Sequence, residues 1–234
     1  MTFRTCFIRW KSLMNNKHLA VKNKPKMFLK KINPNLNLSL SESGFTEASE
    51  LQAETFSLIK SGADLVISSP DESGKTTALA LNVIQRLDEP YEQSPRALIM
   101  VLNREKVSEL VEIFEKLNQH NKLRVYHTYE HTDIDNDKNL ISEGIDILIG
   151  TPKKMSDLFS GAGFDINRLK MFIVDDLDLI LKSRHEQIIT RLSDAIEKTQ
   201  RIFTVSEITD KIEVLSEKLM LNPTYVEMGL DLEE

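Results

Sequence analysis

The feature that constrains this chain most is an apolar run, Leu65-Val66-Ile67, followed by a short polar loop and then by a helical pattern. The loop ends in Gly74-Lys75-Thr76, and residues 78–84 have apolar side chains at helical spacing. A strand, a loop ending in Gly-Lys-Thr and a helix form the context in which such a loop binds phosphate. The sequence therefore predicts a phosphate-binding loop, with an ordinary strand-to-helix turn as the alternative interpretation.

The residue types of this loop suit a nucleotide. Backbone N–H groups of the loop and the positive end of the following helix attract phosphate oxygens. We expect Lys75 to contact the β- and γ-phosphates of ATP, and the hydroxyl of Thr76 to hold Mg²⁺. Glu72 opposes binding, because it stands where a glycine would let the backbone approach the nucleotide. The candidate nucleotide-binding residues of the loop are Ser69, Pro70, Asp71, Glu72, Ser73, Gly74, Lys75, Thr76 and Thr77.

Short apolar runs alternate with helical patterns along most of the chain. The runs lie at residues 65–68, 97–102, 123–129, 145–149, 171–174, 202–205 and 225–228. A helix is expected from Ser49 to Ser61, with Gly62 as its stop. Near-continuous apolar strands separated by amphipathic helices are typical of a parallel sheet buried on both faces. We therefore expect one α/β domain over residues 35–229, with a mainly parallel sheet of about seven strands and helices on both faces.

Charge is distributed unevenly along the chain. There are 30 Lys and Arg and 36 Asp and Glu in all, but residues 1–31 hold nine of the basic residues and no acidic one. The remainder is acidic, which is unfavourable for strong nucleic-acid binding. We expect residues 1–34 to be a basic arm with little fixed structure, of which 1–31 are dispensable for folding, and residues 230–234 to be an acidic tail. A targeting peptide, a nucleic-acid-binding arm and a later translation start at Met14 or Met27 are the alternatives for the arm.

The cysteine content and hydropathy bear on location. The single cysteine, Cys6, fits a reducing compartment, and we expect the protein to be cytoplasmic. No run of about 18 consecutive apolar residues is present, so no membrane span is expected.

A second candidate motif follows the apolar run Met171–Val174, where Asp175, Asp176 and Asp178 bring three carboxylates to the end of the expected strand. A carboxylate in this position faces the same crevice as a phosphate loop on a neighbouring parallel strand. Asp175 can then help to hold Mg²⁺ while Asp176 orients the attacking water. Asp175, Asp176 and Lys75 are therefore the candidate catalytic residues, and a solvated loop is the alternative.

The order of these motifs resembles that of the first RecA-like lobe of a DEAD-box RNA helicase. The similar stretch runs from about Phe45 to Met228, and residues 175–178 stand where the family has Asp-Glu-Ala-Asp. Residues 44–52 resemble the family's Q motif. The resemblance implies a three-layer RecA-like P-loop domain in which Gln52 recognises the adenine of ATP, with Phe45 beside it.

Two further stretches resemble RNA-contacting motifs of the family. Residues 103–105, Asn-Arg-Glu, are similar to part of Pro-Thr-Arg-Glu, and residues 151–154, Thr-Pro-Lys-Lys, are similar to Thr-Pro-Gly-Arg. In the family both motifs touch the RNA backbone. The nucleic-acid contacts that the resemblance implies are Arg104, Thr151, Lys153 and Lys154.

Several positions depart from the family pattern. Asp176 replaces glutamate, which shortens the side chain that positions water, and an error of about 1 Å there can cost roughly a hundredfold in rate. Val205 and Glu207 replace the two hydroxyl residues that link nucleotide state to RNA. His127-Thr128 stands where two glycines are expected.

The resemblance predicts an ATP- or ADP-binding lobe that contacts RNA weakly and hydrolyses ATP slowly or not at all. It ends at Met228, close to the end of the sequence, so we expect neither a second lobe nor an arginine finger, and no unwinding by this chain alone. A partner protein that supplies a second lobe is a further expectation. The alternative is a non-enzymatic interaction or scaffold module that has lost nucleotide binding; a small kinase or other P-loop phosphotransferase fits the order of motifs less well.

Overall fold

The computed structural model describes residues 18–21, 31–45, 47–70 and 73–228. Its strands are β1 (His18–Val21), β2 (Leu65–Ser68), β3 (Ala97–Met100), β4 (Val125–Thr128), β5 (Ile147–Gly150), β6 (Met171–Val174), β7 (Gln200–Val205) and β8 (Thr224–Met228). Its helices are α1 (Pro34–Glu42), α2 (Glu50–Ser61), α3 (Lys75–Leu87), α4 (Arg104–Leu117), α5 (Ile134–Ser142), α6 (Pro152–Ser160), α7 (Leu177–Lys182), α8 (Glu186–Ala195) and α9 (Asp210–Leu219). Asp71, Glu72, most of the basic arm and residues 230–234 lie outside the described residues, so what the sequence predicts for them stays a prediction.

The strands form one sheet, in the order β1-β8-β2-β7-β6-β3-β5-β4. Every neighbouring pair is parallel, which confirms the predicted α/β fold. Seven of the strands overlap the runs expected from the sequence, and β5, β7 and β8 extend one or two residues beyond them. Strand β2, which leads into the phosphate loop, lies inside the sheet between β8 and β7. Its carboxyl end therefore opens into the crevice where ligands bind in sheets of this kind.

The eighth strand comes from the basic arm. Residues His18–Val21 pair in parallel with β8, with His18 opposite Tyr225, and so form one edge of the sheet. The expectation of little fixed structure is wrong for this segment. A strand of four residues that lies among lysines is too short to show a periodic pattern in the sequence.

Helices cover both faces of the sheet, as predicted. On one face, Leu65 and Ile67 join the core formed by α1, α2, α3 and α4. On the other face, Val66 joins the core beneath α6, α8 and α9. The alternation follows from the strand period of two, and because both faces are buried the strand is apolar throughout.

Helix α2 has the bounds that the sequence predicts. The hydroxyl of Ser49 accepts a hydrogen bond from the backbone N–H of Gln52, and the side chain of Gln52 accepts one from the N–H of Ser49, which forms a capping box. Gly62 ends the helix in the left-handed conformation, with φ of 87°. These caps fix the position of Gln52 beside the loop that precedes α3.

Across residues 31–45, 47–70 and 73–228, no helix is both long and apolar enough to cross a membrane.

Candidate nucleotide-binding site

Lys75 is the first residue of α3 and lies at the carboxyl end of β2, as predicted. Gly74 precedes it with φ of 85°, a left-handed conformation that glycine adopts without steric cost. The N–H groups of the first turn of α3 have no partners within the helix, so its N-terminus favours an anion. The side chain of Lys75 is buried, and its Nζ atom lies 3.5 Å from Oδ1 of Asp176.

The two aspartates at the end of β6 are held by a threonine of the neighbouring strand. The hydroxyl of Thr204 on β7 donates a hydrogen bond of 2.5 Å to Oδ1 of Asp175, and the oxygen of that hydroxyl accepts one of 2.9 Å from the N–H of Asp176. Burial raises the pKa of Asp175 to about 6, and the charge of Asp176 acts in the same direction. Asp176 adopts a left-handed conformation, with φ of 52°, which turns its side chain toward Lys75.

A second lysine, Lys106 on α4, reaches the same carboxylate. Its Nζ atom lies 3.8 Å from Oδ2 of Asp176 and 3.1 Å from Oε2 of Glu109. Partial burial acts to lower the pKa of Lys106, but the carboxylates of Glu109, Asp176 and Asp175 outweigh it, so the pKa is raised. Lys106 was not among the candidate residues predicted from the sequence. One signal for it was available: α4 follows β3, and β3 pairs with β6, the strand that leads to Asp176.

These side chains surround a cavity of about 270 Å³. Its lining residues are Gly74, Lys75, Thr76, Thr77, Lys106, Glu109, Ile113 and Asp176. Two ammonium groups, a helix N-terminus and the hydroxyl of Thr76 suit the phosphates of a nucleotide. A larger open groove of about 760 Å³ lies between α6, α8 and α9, but none of the predicted site residues line it.

Of the two residues predicted to hold magnesium, Thr76 lines this cavity, whereas Asp175 is buried next to Asp176 and is not among the lining residues. Within the described ranges, no group of three or more His, Cys, Asp or Glu side chains is placed to hold a metal. Magnesium is commonly bound by one or two carboxylates together with substrate phosphates. Thr76 and Asp175 are the residues that would hold it here, and the ion would neutralise phosphate charge when nucleotide is bound.

Of the two residues predicted to meet adenine, Gln52 lies beside the loop. The side chain of Gln52 is buried, and a Cβ atom added to Gly74 would lie 3.6 Å from its Nε2 atom. Its Oε1 atom is engaged in the helix cap, so Nε2 is the group left for a ligand. Phe45 is 40% exposed at the end of the segment that precedes α2.

The rest of the phosphate loop is only partly described. Ser69 is buried, and its hydroxyl accepts a hydrogen bond of 2.9 Å from the hydroxyl of Ser73. Pro70 is partly exposed.

Two of the four predicted nucleic-acid contacts are exposed. Arg104, the first residue of α4, stacks over the ring of Tyr129 at 4.9 Å. Lys153 is exposed in the first turn of α6. Thr151, in contrast, is fully buried, and its hydroxyl has no hydrogen-bond partner among the described residues. The side chain of Thr151 therefore faces the interior in this conformation, and its contact with RNA stays a prediction.

Lys154, the fourth residue predicted to contact RNA, is also directed into the interior. Its side chain is buried, and its Nζ atom lies 2.8 Å from Oδ2 of Asp137 on α5 and donates to the carbonyl of Thr132. Asp137 is fully buried and accepts further hydrogen bonds from the hydroxyls of Tyr126, Thr128 and Thr132. Burial would raise the pKa of Asp137, but Lys154 and the hydroxyl donors outweigh it and lower the pKa. Lys154 is therefore committed to a buried ion pair.

The divergent segment Val205-Ser206-Glu207 touches the site through its backbone. The N–H of Ser206 donates to Oδ1 of Asp178 at 3.3 Å, and the carbonyl of Ser206 accepts from the hydroxyl of Ser68 at 3.1 Å. Val205 is fully buried in the sheet. The end of β7 is thus tied to both candidate motifs without using the side chains of Val205 or Glu207.

Comparison with known proteins gives concordant matches. The family model described as DEAD/DEAH box helicase matches residues 49–206. The ATP-dependent RNA helicase eIF4A of Eremothecium gossypii is 28% identical over 185 residues, which cover 78% of this chain and 46% of the relative. The ATP-dependent RNA helicase dhh1 of Aspergillus clavatus is 26% identical over 194 residues, covering 82% of this chain and 38% of the relative. The chain thus spans about half the length of these curated relatives, or less.

Solved structures share the fold. A DEAD box protein from the hyperthermophile Methanococcus jannaschii superposes with a TM-score of 0.80 at 19% identity, covering 85% of this chain and 55% of that one. The S. cerevisiae protein dbp5, solved with gle1 bound, gives a TM-score of 0.78 at 19% identity, covering 85% of this chain and 51% of that one. At this level of identity the similarity shows the RecA-like fold alone.

Proposed function

This chain belongs to the DEAD/DEAH box helicase family, and on that basis we propose that it is an ATP-binding lobe that contacts RNA weakly and turns ATP over slowly or not at all. The observation that carries the proposal is the placement of Lys75. It occupies the first position of α3, buried, with Asp176 at 3.5 Å and the hydroxyl of Thr76 lining the same cavity. This arrangement offers a cation, a metal-binding hydroxyl and a carboxylate around the space that phosphates would occupy.

Slow turnover is supported by the surroundings of Asp176. Its carboxylate is shared between Lys75 and Lys106, which opposes its use for orienting water. Aspartate is also one methylene shorter than the glutamate that the family uses at this position. ATP hydrolysis in P-loop enzymes further relies on a charge-stabilising arginine finger, which contributes about 10³–10⁵ in rate. In this family that group belongs to a second lobe, and we propose that a partner supplying such a lobe would be needed for efficient turnover.

Weak RNA contact is supported by the two exposed cations at the family's RNA-contacting positions. Arg104 and Lys153 lie at the N-termini of α4 and α6, which follow neighbouring strands β3 and β5. A helix N-terminus with a lysine or arginine side chain suits the phosphates of an RNA backbone. Such contacts position the protein on the RNA without recognising its sequence.

A second candidate function is an interaction module that does not bind nucleotide. The burial of Thr151 and Lys154 favours it, because two of the implied RNA contacts are committed to the interior. Glu72, which lies outside the described residues, favours it as well. Under this hypothesis the ion pairs of Lys75 and Lys106 with Asp176 are structural.

Calorimetric titration with Mg-ATP and Mg-ADP separates the two functions. We expect weak binding by the wild type, loss of binding in Lys75→Ala and tighter binding in Glu72→Gly. The lysine change removes a charge-assisted contact to phosphate, which typically corresponds to about tenfold or more in affinity. The glycine change removes a negative charge and restores backbone freedom. Lys116→Ala, on the exposed end of α4, is the matched control and should leave affinity unchanged.

The outcomes are opposed for the two functions. If the wild type binds neither nucleotide and Glu72→Gly does not restore binding, the pocket is vestigial and the interaction module is the better description. If binding is present but Lys75→Ala does not weaken it, the nucleotide binds elsewhere and the proposed site is wrong.

A further inference from the structure

Lys106 is a second cation in the nucleotide cavity that the motif-based assignment does not use. It lies on the first turn of α4, and its Nζ atom is 3.8 Å from Oδ2 of Asp176, whereas Lys75 lies near the other oxygen, Oδ1, of that carboxylate. Its side chain is 36% exposed, so the ammonium group faces both the cavity and solvent.

The charges that line the cavity show why this cation matters. Lys75 and Lys106 are balanced by Glu109 and Asp176, and the carboxyl group of Asp175 lies behind them. Without Lys106 the lining would be net negative even before a polyphosphate entered. Like charges disfavour an anionic ligand strongly at these distances. Lys106 is therefore, with Lys75, one of the two cations that offset the carboxylates of the lining.

A purely structural role explains Lys106 less well. Its pairing with Glu109 is an i, i+3 contact on one helix between a partly buried and an exposed side chain, and surface pairs of this kind contribute little to stability. The contact with Asp176 spans two elements, but at 3.8 Å it is longer than a direct hydrogen bond. Lys106 thus has an ammonium group that can leave its present partners at low cost.

We propose that Lys106 binds the terminal phosphate of a nucleoside triphosphate and makes this lobe discriminate ATP from ADP. The inference rests on the nucleotide binding proposed above and adds a residue that sets ligand preference. The loop and the N-terminus of α3 suit the inner phosphates, with Lys75 at their edge. Asp176 separates Lys75 from Lys106, so the cation beyond it is in reach of the outermost phosphate. A diphosphate would leave Lys106 with its present carboxylate partners.

The test compares the affinities of ATP and ADP, each with Mg²⁺, for the wild type and for Lys106→Gln by calorimetry. We expect Lys106→Gln to weaken ATP binding by about tenfold or more, as the loss of one charged hydrogen bond implies, and to change ADP binding by less than about threefold. Lys116→Gln removes the same charge from the far end of α4 and should change neither affinity. Lys106→Arg should keep the preference for ATP.

Each other outcome contradicts the inference in a recognisable way. Equal weakening of ATP and ADP would show a general effect of charge, and no change in either would show that Lys106 does not touch the ligand. Both results leave the proposed nucleotide binding intact. If the wild type binds neither nucleotide, the proposed function and this inference fail together. Thermal melting of Lys106→Gln checks its fold, and if it is unfolded Lys106→Arg and Lys106→Met serve as the test pair.

Discussion

The carboxyl group of Asp175 is buried next to the candidate nucleotide cavity, and one of its oxygens accepts a hydrogen bond from the hydroxyl of Thr204. Its pKa is raised from 3.8 to about 6 by burial and by the neighbouring charge of Asp176. The folded protein therefore holds the proton more tightly than the unfolded chain. The stability that this group contributes is present below its unfolded pKa and is lost as pH rises through the folded pKa.

The sign of this linkage leads to a prediction for Asp175→Asn. At pH 7.5 the wild type carries a buried charge and the variant does not, so we expect the variant to be more stable by about 1–3 kcal/mol. Below pH 4 both side chains are neutral, and the difference should vanish. Thermal melting of both proteins from pH 4 to pH 8 measures the difference in stability between them. Groups other than Asp175 titrate in both proteins, so their effects cancel in this difference. Asp157→Asn, on the exposed face of α6, is the control. A gap that grows toward low pH would contradict the prediction.

Site residues that directly follow a strand in the chain could be predicted from the sequence. Residues that reach the site from another helix could not. Lys75 and Asp175 follow apolar runs directly, and their placement needs only the parallel sheet. Lys106 enters through the packing of α4 against α3, which no local pattern encodes. Lys154 has the same local pattern as exposed Lys153, and only the position of Asp137 distinguishes them.

Helices α5 and α6 are joined by the buried pair of Asp137 and Lys154. The residues of this pair lie after β4 and β5, two strands at the edge of the sheet. Three hydroxyl groups also donate hydrogen bonds to the carboxylate of Asp137. A buried ion pair is costly to break from one side, because the remaining charge has no adequate partner.

Substituting the two adjacent lysines of α6 should therefore give very different results. We expect Lys154→Met to destabilise the protein by about 3 kcal/mol, because Asp137 is left buried without its cation. Lys153→Ala should change stability by less than about 0.5 kcal/mol, since the side chain is exposed. Denaturant unfolding of both variants measures the difference. Equal stabilities would show that Lys154 is not held in the interior, and its ammonium group could then contact RNA as predicted from the sequence.

Elements with a strong pattern could be predicted with their bounds, and short polar ones could not. Strand β2 and helix α2 have an apolar run and a capping box, which fix their ends. Helix α5 begins Ile-Asp-Asn-Asp-Lys, and only Asp137 and Ile141 are buried in it. Its contact with the body depends on a charged residue, so the hydrophobic period that reveals a helix is absent. Strand β1 is hidden for the related reason that it lies among basic residues.

The described residues form one sheet, and the candidate nucleotide cavity lies beside its strand β6, at the residues that follow the carboxyl end of that strand. The charge distribution divides the chain into a basic segment, residues 1–31, and an acidic remainder. On the body, Arg104 and Lys153 are the exposed cations at the family's RNA-contacting positions. RNA affinity should therefore come from few phosphate contacts.

Two phosphate contacts with a single strand correspond to a slope of about −1.4 for log affinity against log salt concentration. We expect the double variant with Arg104→Ala and Lys153→Ala to lose a slope of that size when titrated with single-stranded RNA at several salt concentrations. Lys116→Ala, at the other end of α4, is the control and should keep the wild-type slope.

We also expect no ATP-dependent strand displacement by the purified 234-residue chain. Family helicases act by closing two lobes around ATP and RNA, and the described residues form one lobe. ATP-dependent displacement of a short duplex by the pure protein, absent in Lys75→Ala, would refute this and show that the chain acts as a helicase by itself or by self-association.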